Sequence, residues 1–194
     1  MSENWPVKLR TGELVLQPLR WRDRKRWLNV RNENRDWLGE WEATLPQVPG
    51  ENGSPKLPTF FEMVSWHRRE GRKGRSYALA IWHINSQGKN LIGQITMGGV
   101  MYGAMRGAHI GYWIDRAYAN RGYTTQAVQA VTEFGFNSLK LHRIEINIRP
   151  ENLASIRVAE KAGYLFEGVR PRYLHIDGSW RDHVCFVKEN SQVN

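Results

Sequence analysis

Gly111-Tyr-Trp-Ile-Asp-Arg-Ala-Tyr-Ala-Asn-Arg-Gly-Tyr-Thr-Thr-Gln-Ala-Val128 reads as an apolar strand, a short glycine-containing turn and the opening of an amphipathic helix. A strand that ends in such a turn leaves several N–H groups of the helix's first turn unpaired and pointing the same way, beside the positive end of the helix dipole. Such an end binds phosphate-like anions. Gly122 lets the backbone approach a bulky anion, Arg121 adds a cation, and Thr124 and Thr125 bring hydroxyls to the same place. Alone, these residues would also make an ordinary strand-to-helix connection, so the neighbouring segments have to decide.

On its N-terminal side the stretch continues a β-rich texture. Tyr77–His83, Leu91–Met97 and Ala108–Ile114 are three apolar runs joined by turn chemistry, including Asn85-Ser-Gln-Gly-Lys89, and predict an antiparallel meander. On the C-terminal side follow a helix over Thr124 to about Leu139, a strand over Arg143–Ile148, a helix over Asn152–Ala162, a strand from Tyr164 and a last hairpin turning at Asp177-Gly178. The order predicts an α/β (α+β) fold with a mixed, mostly antiparallel sheet and helices on its faces. Before the meander, Val7–Gln17 predicts a strand pair turning at Thr11-Gly12, Asp23 opens a basic helix to about Val30, and Phe60 to about Gly71 predicts a helix buried on Phe60, Phe61, Met63, Val64 and Trp66. The proline- and glycine-rich stretch 45–58 supports no regular element and is expected to be a mobile loop.

At 194 residues one domain spanning 1–194 is expected. No window approaches the run of apolar residues that a membrane span needs, and Met1–Pro6 has no basic segment followed by an apolar core, so no membrane and a cytoplasmic location are expected. Cys185, the single cysteine, excludes an intramolecular disulfide and a cysteine-based zinc cluster, and its apolar context reads as core. The net charge of +9 favours polyanionic partners. The basic residues concentrate in Arg20-Trp-Arg-Asp-Arg-Lys-Arg-Trp27 and His67–Arg75. Interleaved tryptophans and cations suit RNA, whereas Trp21, Trp27, Leu28 and Arg31 also fit a helix that buries its tryptophan side. Seven of the nine tryptophans precede position 100, so the N-terminal half should carry an aromatic-lined surface or core of its own.

A second block, Asn147-Ile-Arg-Pro-Glu-Asn-Leu-Ala-Ser-Ile-Arg-Val-Ala-Glu-Lys-Ala-Gly-Tyr164, places Asn152 as helix N-cap, Ser155 in the first turn and Gly163 at the helix end. Two successive strand–helix units whose helix N-termini meet on one sheet edge make a cleft between parallel strands. Gly111 to Tyr164 thereby resembles the core of the GNAT acyltransferases. The family's pyrophosphate turn reads Gln/Arg-x-x-Gly-x-Gly/Ala, against Ala119, Asn120, Arg121, Gly122, Tyr123 and Thr124 here. The first and last positions depart from the pattern, in a cradle built mainly from backbone N–H groups. Asn34-Arg-Asp-Trp-Leu-Gly-Glu-Trp-Glu42 and Tyr173–Val184 further resemble segments of the branch that acetylates ribosomal-protein N-termini.

The resemblance implies a sheet splayed between its fourth and fifth strands, with acetyl-CoA held there by Tyr112, Trp113, Ile114, Ala119, Asn120, Arg121, Gly122, Tyr123, Thr124, Thr125, Asn152 and Ser155. It implies direct attack of an amine on the thioester, backbone N–H groups of Gly111–Ile114 facing the developing oxyanion, and the Ser155 hydroxyl as acid for the departing thiolate. Relatives that use a tyrosine carry it four residues later, where this chain has Ala159. The glutamates that relatives place at Asn147 or Leu174 are missing, which leaves Glu145, on the Asn147 face of its strand, and Glu42 as candidate bases; His175, Asp177 and Asp182 also fall in segments expected near the cleft. An α-amine, with a pKa of about 7.7–8.0, needs little help to be neutral. The implied acceptor is the alanine N-terminus of a small-subunit ribosomal protein, with contact to ribosomal RNA as a use for the positive charge. The open alternatives are a small-molecule amine as acceptor, or a non-catalytic ribosome- or RNA-associated module on the same fold.

Overall fold

A computed structural model describes residues 4–50, 57–86 and 88–193. The strands are β1 (Leu9–Thr11), β2 (Leu14–Gln17), β3 (Tyr77–Asn85), β4 (Gly88–Met101), β5 (Gly107–Ile114), β6 (Arg143–Ile148), β7 (Leu165–Ile176) and β8 (Ser179–Glu189). The helices are α1 (Arg24–Glu33), α2 (Arg35–Leu38), α3 (Phe60–Arg72), α4 (Tyr123–Asn137) and α5 (Leu153–Lys161). All eight strands form one sheet in the order β1-β2-β3-β4-β5-β6-β8-β7. Every neighbouring pair is antiparallel except β5 and β6.

The parallel pair is brief. Gly107, Ala108 and His109 pair with Arg143, Ile144 and Glu145, and beyond them the two strands part. By chain order the splay falls between the fifth and sixth strands, because the N-terminal segment forms a hairpin of two. The Asp115 N–H bonds the Ile92 carbonyl, and antiparallel alternation then directs the peptide groups of Gly111 and Trp113 to β4. The Ile110 N–H closes the last rung with β6, and the peptide groups of Tyr112 and the N–H of Ile114 lie beyond it on the side of the opening.

Helical periodicity puts Val128, Val131 and Phe134 of α4 into one core with Ile110, Ile144 and Ile146 of the sheet. Each such side chain, fully buried, contributes roughly 1.5–3 kcal/mol. A Cβ at Gly135 would lie 2.6 Å from Met97 and 2.7 Å from Ile144, so α4 sits tight on the sheet and its start is carried to the open end of β5. The Tyr123 hydroxyl, within 3.2 Å of Glu13 and 3.1 Å of His83, roots that start on the β1–β2 turn and β3. On another part of the sheet, Phe60 and Val64 of α3 cover Val15, Ala80, Trp82 and Leu91, with Trp27 and Met63 packed against them.

Three aromatic expectations are corrected. Trp21 is 62% exposed, because it lies in a separate 3-10 turn (Trp21–Asp23) rather than on the inner side of α1. Phe61 and Trp66 are also exposed, since the buried stripe of α3 is Phe60, Val64 and Gly71. The loop expected over 45–58 has no helix or strand in 45–50 or 57–58, and its residues 51–56 lie outside the described residues. Among the described residues no helix is long and apolar enough to cross a membrane.

Candidate active site

A cleft of about 920 Å³ opens where β5 and β6 diverge. Tyr112, Trp113 and Ile114 of β5, the turn residues Ala119, Asn120 and Gly122, and Tyr123, Thr124 and Thr125 of α4 line one wall. Asn152, Ser155 and the cations Arg157 and Lys161 of α5 line another. Trp27, Arg31, Trp37, Trp41 and Glu42 close the side toward the N-terminal segment.

Helix α4 is open at its start. Its N-cap, Gly122, has φ +78° and supplies no side-chain hydrogen bond, so the N–H groups of the first turn have no partner from the cap. Nothing lies within 4 Å of where a Cβ on Gly122 would stand, which leaves room for an anion against the backbone. Asn120, at φ +60°, makes the second left-handed step of the turn. Arg121 does not line the cleft; its guanidinium stacks 5.4 Å from the Tyr118 ring. These features fit a pyrophosphate.

Helix α5 is closed by its own cap. The Asn152 Oδ1 accepts the Ser155 N–H at 3.0 Å, and the Tyr112 hydroxyl, donating to the Ser155 carbonyl at 3.2 Å, straps β5 to α5 across the opening. Burial raises the Tyr112 pKa, so this phenol stays protonated and remains a donor. Both backbone groups of Ser155 are thus engaged. Its hydroxyl, with no hydrogen-bond partner among the described residues, is on the cleft wall and free to meet a bound group.

Glu42 lies in the cleft, paired with Arg31. Arg31 in turn stacks between Trp113, at 5.1 Å, and Trp27, at 5.8 Å. The segment carrying Glu42 is tied down on three sides. The Trp37 indole donates to the Ile114 carbonyl at 3.1 Å, Arg149 donates to the Glu40 carbonyl at 2.7 Å, and Ala43 bridges Ile176 beside the β7–β8 turn. His175 joins Thr44 in the same clasp, at 2.8 Å.

Glu145 does not line the cleft. It stands at the last rung of the β5–β6 ladder, one rung before the strands part, and its oxygens meet Arg143 at 3.0 Å and Arg170 at 2.8 Å. Burial alone would raise its pKa, but the hydrogen bonds from Arg170 and Arg143 hold it below the usual carboxylate value. A carboxylate claimed by two guanidiniums is a poor proton acceptor, and the expectation of Glu145 as base is not supported. Burial pushes the Cys185 thiol up, consistent with a core residue rather than a nucleophile.

The sequence predicts an aromatic-lined surface or core in the N-terminal half without placing it, and Trp27, Trp37 and Trp41 put it on the wall of the cleft. Its signal was the spacing of Trp27 with Arg31 and of Trp37 with Trp41, each four apart on helical turns.

A mixed sheet with one splayed parallel pair and an uncapped helix at the mouth of the splay fits an acyl-CoA-binding acetyltransferase. Residues 13–165 match the acetyltransferase (GNAT) domain family, and the chain belongs to it. It is thus an acetyl-CoA-dependent N-acetyltransferase. It is 31% identical over 179 residues to the probable N-acetyltransferase YjcK of Bacillus subtilis (strain 168), a match covering 90% of this chain and 93% of that protein. It is 28% identical over 184 residues to the [ribosomal protein uS5]-alanine N-acetyltransferase of Escherichia coli (strain K12), covering 92% and 88%. The structure of Mycobacterium smegmatis RimJ in complex with CoA-disulfide superposes with a TM-score of 0.83 at 31% identity, covering 100% of this chain and 92% of that one.

Proposed function

We propose that the protein acetylates the α-amine of a protein N-terminus, the alanine of a small-subunit ribosomal protein, by direct attack in a ternary complex in the cytoplasm. The observation that carries this reading is that one cleft joins the uncapped start of α4 to the free Ser155 hydroxyl, and continues into an aromatic pocket closed by residues 37–44. The 28% identity to a uS5-alanine acetyltransferase over most of both chains supports the choice of acceptor.

Acetyl-CoA supplies the acetyl group as a thioester. The first-turn N–H groups of α4 and the Thr124 and Thr125 hydroxyls hold its pyrophosphate, with Arg157 and Lys161 on the facing helix. The Tyr112 peptide faces the opening, where its N–H donor meets oxygen charge as it develops. Ser155 Oγ donates a proton to the departing thiolate and is reprotonated by the proton that the attacking nitrogen loses as the amide forms. Glu42 is the carboxylate within the cleft, and its pairing with Arg31 suits it to orient the acceptor's ammonium more than to deprotonate it. An N-terminal amine, already partly neutral near neutral pH, does not require a stronger base.

The test is mass spectrometry of ribosomal proteins incubated with the enzyme and acetyl-CoA. A gain of one acetyl on one N-terminal alanine is the expected result. Acetylation of polyamines or amino acids with no transfer to any ribosomal protein would replace this reading with a small-molecule acceptor, and acetyl-CoA binding with no transfer at all would leave a binding module.

A further inference from the structure

The basic N-terminal stretch does not enter the cleft, and its arrangement calls for an occupant of its own. Lys8, Arg20 and Arg26 are exposed and Lys89 is half-buried, and among the described residues none of the four has an ion-pair partner. They lie close together. Arg26 and Lys89 both rest on the buried ring of Trp82, at 5.9 Å and 4.4 Å. Burial lowers the Lys89 pKa most; Asp23 raises it, and Lys8, Arg20 and Arg26 lower it again. Asp23, the acid among them, is 5% exposed and spends an oxygen on the Arg20 N–H at 2.9 Å. The 3-10 turn that Asp23 ends also presents Trp21, whose indole is 62% exposed between Arg20 and Arg22. A second ring, Phe61, half-exposed on α3, lies 5.8 Å from the Arg24 guanidinium.

Four cations around one buried carboxylate leave this face net positive. Like charges held together cost stability, and a polyanion removes that cost by replacing their counterions. Trp21 narrows the class of polyanion. A large ring left in water among cations offers a flat stacking face of the size of a nucleobase, with the cations set to meet the phosphates on either side. A membrane surface would instead call for a continuous apolar face to insert, which an exposed indole and a half-exposed Phe61 ring set among cations do not supply.

We propose that Trp21, with Lys8, Arg20, Arg26 and Lys89, forms a face that binds single-stranded RNA, separate from the acetyl-transfer cleft. Bases stack on the exposed indole, and the cations follow the backbone without reading sequence. None of the five residues lines the cleft. The face therefore carries the enzyme to RNA-rich particles without occupying the acceptor pocket, and its binding is measured without any transfer step.

The experiment is fluorescence anisotropy of the full chain with a labelled oligouridine dodecamer over a range of salt. Four phosphate contacts predict a log–log salt slope of about −3. Trp21→Ala should weaken RNA binding roughly tenfold while leaving the slope and the affinity for heparin unchanged. The triple variant Arg20→Gln, Arg26→Gln, Lys89→Gln, which keeps side-chain length over Trp82, should reduce the slope by about 2 and weaken RNA and heparin alike. Acetyl transfer to a short peptide should be unchanged in both variants. Absence of oligouridine binding at low salt overturns the proposal, as does a Trp21→Ala protein that binds RNA like the parent. Tighter binding to phosphatidylserine vesicles than to RNA, lost in Trp21→Ala, overturns it in favour of a membrane.

Discussion

Helix α4 starts at Gly122, whose positive φ and missing side chain leave the first-turn N–H groups without a cap, whereas α5 starts at Asn152, whose side-chain oxygen takes the Ser155 N–H. Both ends open on one cleft. Helix α3, away from the chemistry, is closed more completely still: Thr59 and Glu62 form a reciprocal capping box. Side chains cap α3 and α5 but not α1, α2 or α4, so what sets α4 apart is that its uncapped start opens on the cleft. The cap on α5 has a different consequence. With the N–H of Ser155 satisfied by Asn152 and its carbonyl by Tyr112, the hydroxyl is the one group of that residue left to act on something else. On the proposed mechanism one helix end binds and the other reacts.

The largest test of this contrast is to put a charge at the open end. Gly122→Asp should weaken CoA binding by on the order of a hundredfold, because a carboxylate stands where the pyrophosphate is held and against the same N–H groups. Gly122→Asn is the control, since asparagine tolerates the left-handed backbone and adds no charge. Calorimetry should rank the parent, Asn and Asp proteins in that order. Equal affinities for all three would mean that α4 is not the anion site.

Ser155→Ala removes the proposed acid from the closed end and leaves both backbone bonds in place. It should lower kcat by roughly a hundredfold, with CoA affinity and Tm close to the parent's. An unchanged kcat in pre-steady-state assays would reduce Ser155 to a first-turn helix residue.

Glu145→Gln asks whether proton transfer needs anything from the far side of β6. Because Arg143 and Arg170 hold this buried carboxylate's pKa below its unfolded value, its stabilisation is complete above about pH 4.3 and is lost as pH falls through the folded value. The Gln variant should lose about 2 kcal/mol in urea unfolding at neutral pH and show a flatter acid limb, with kcat retained. A kcat loss larger than the stability change explains would restore Glu145 as a base.

Much of this was legible in the chain. Apolar runs bounded by turn residues located the strands of the meander and β6, and the Asn152 cap and the Gly122 turn were read at the positions where the structure has them. What stayed hidden depends on contacts between distant segments. Period-two alternation put Glu145 on the face of Asn147 correctly, but where β5 and β6 part is set by the β5–β6 register, and one rung decides whether that position meets the cleft or the Arg143–Arg170 pair. The tryptophans mislead for a similar reason. Trp21 and Trp27 suggest one helical face, yet the 3-10 turn rotates Trp21 into water while Trp27 lines the cleft, and Trp37 is positioned by a carbonyl 77 residues away. Arg121 was chosen for its charge next to the turn; its guanidinium rests on the ring of Tyr118, itself a cleft residue.

The smallest effect separates capping from catalysis at α5. Asn152→Ala deletes the side-chain oxygen that accepts the Ser155 N–H and should cost about 1 kcal/mol, a modest drop in Tm. If the cap only completes the helix, the loss ends there and kcat is unchanged. If the cap also frees the Ser155 hydroxyl, the exposed N–H of the first turn competes for the same space and the turn frays, so kcat should fall by roughly fivefold while CoA affinity holds. Asn152→Asp distinguishes the two: aspartate restores the acceptor and so Tm and kcat together, despite adding a negative charge on the cleft wall. Recovery of Tm without recovery of kcat would show that the amide of Asn152 contributes to the reaction beyond closing the helix.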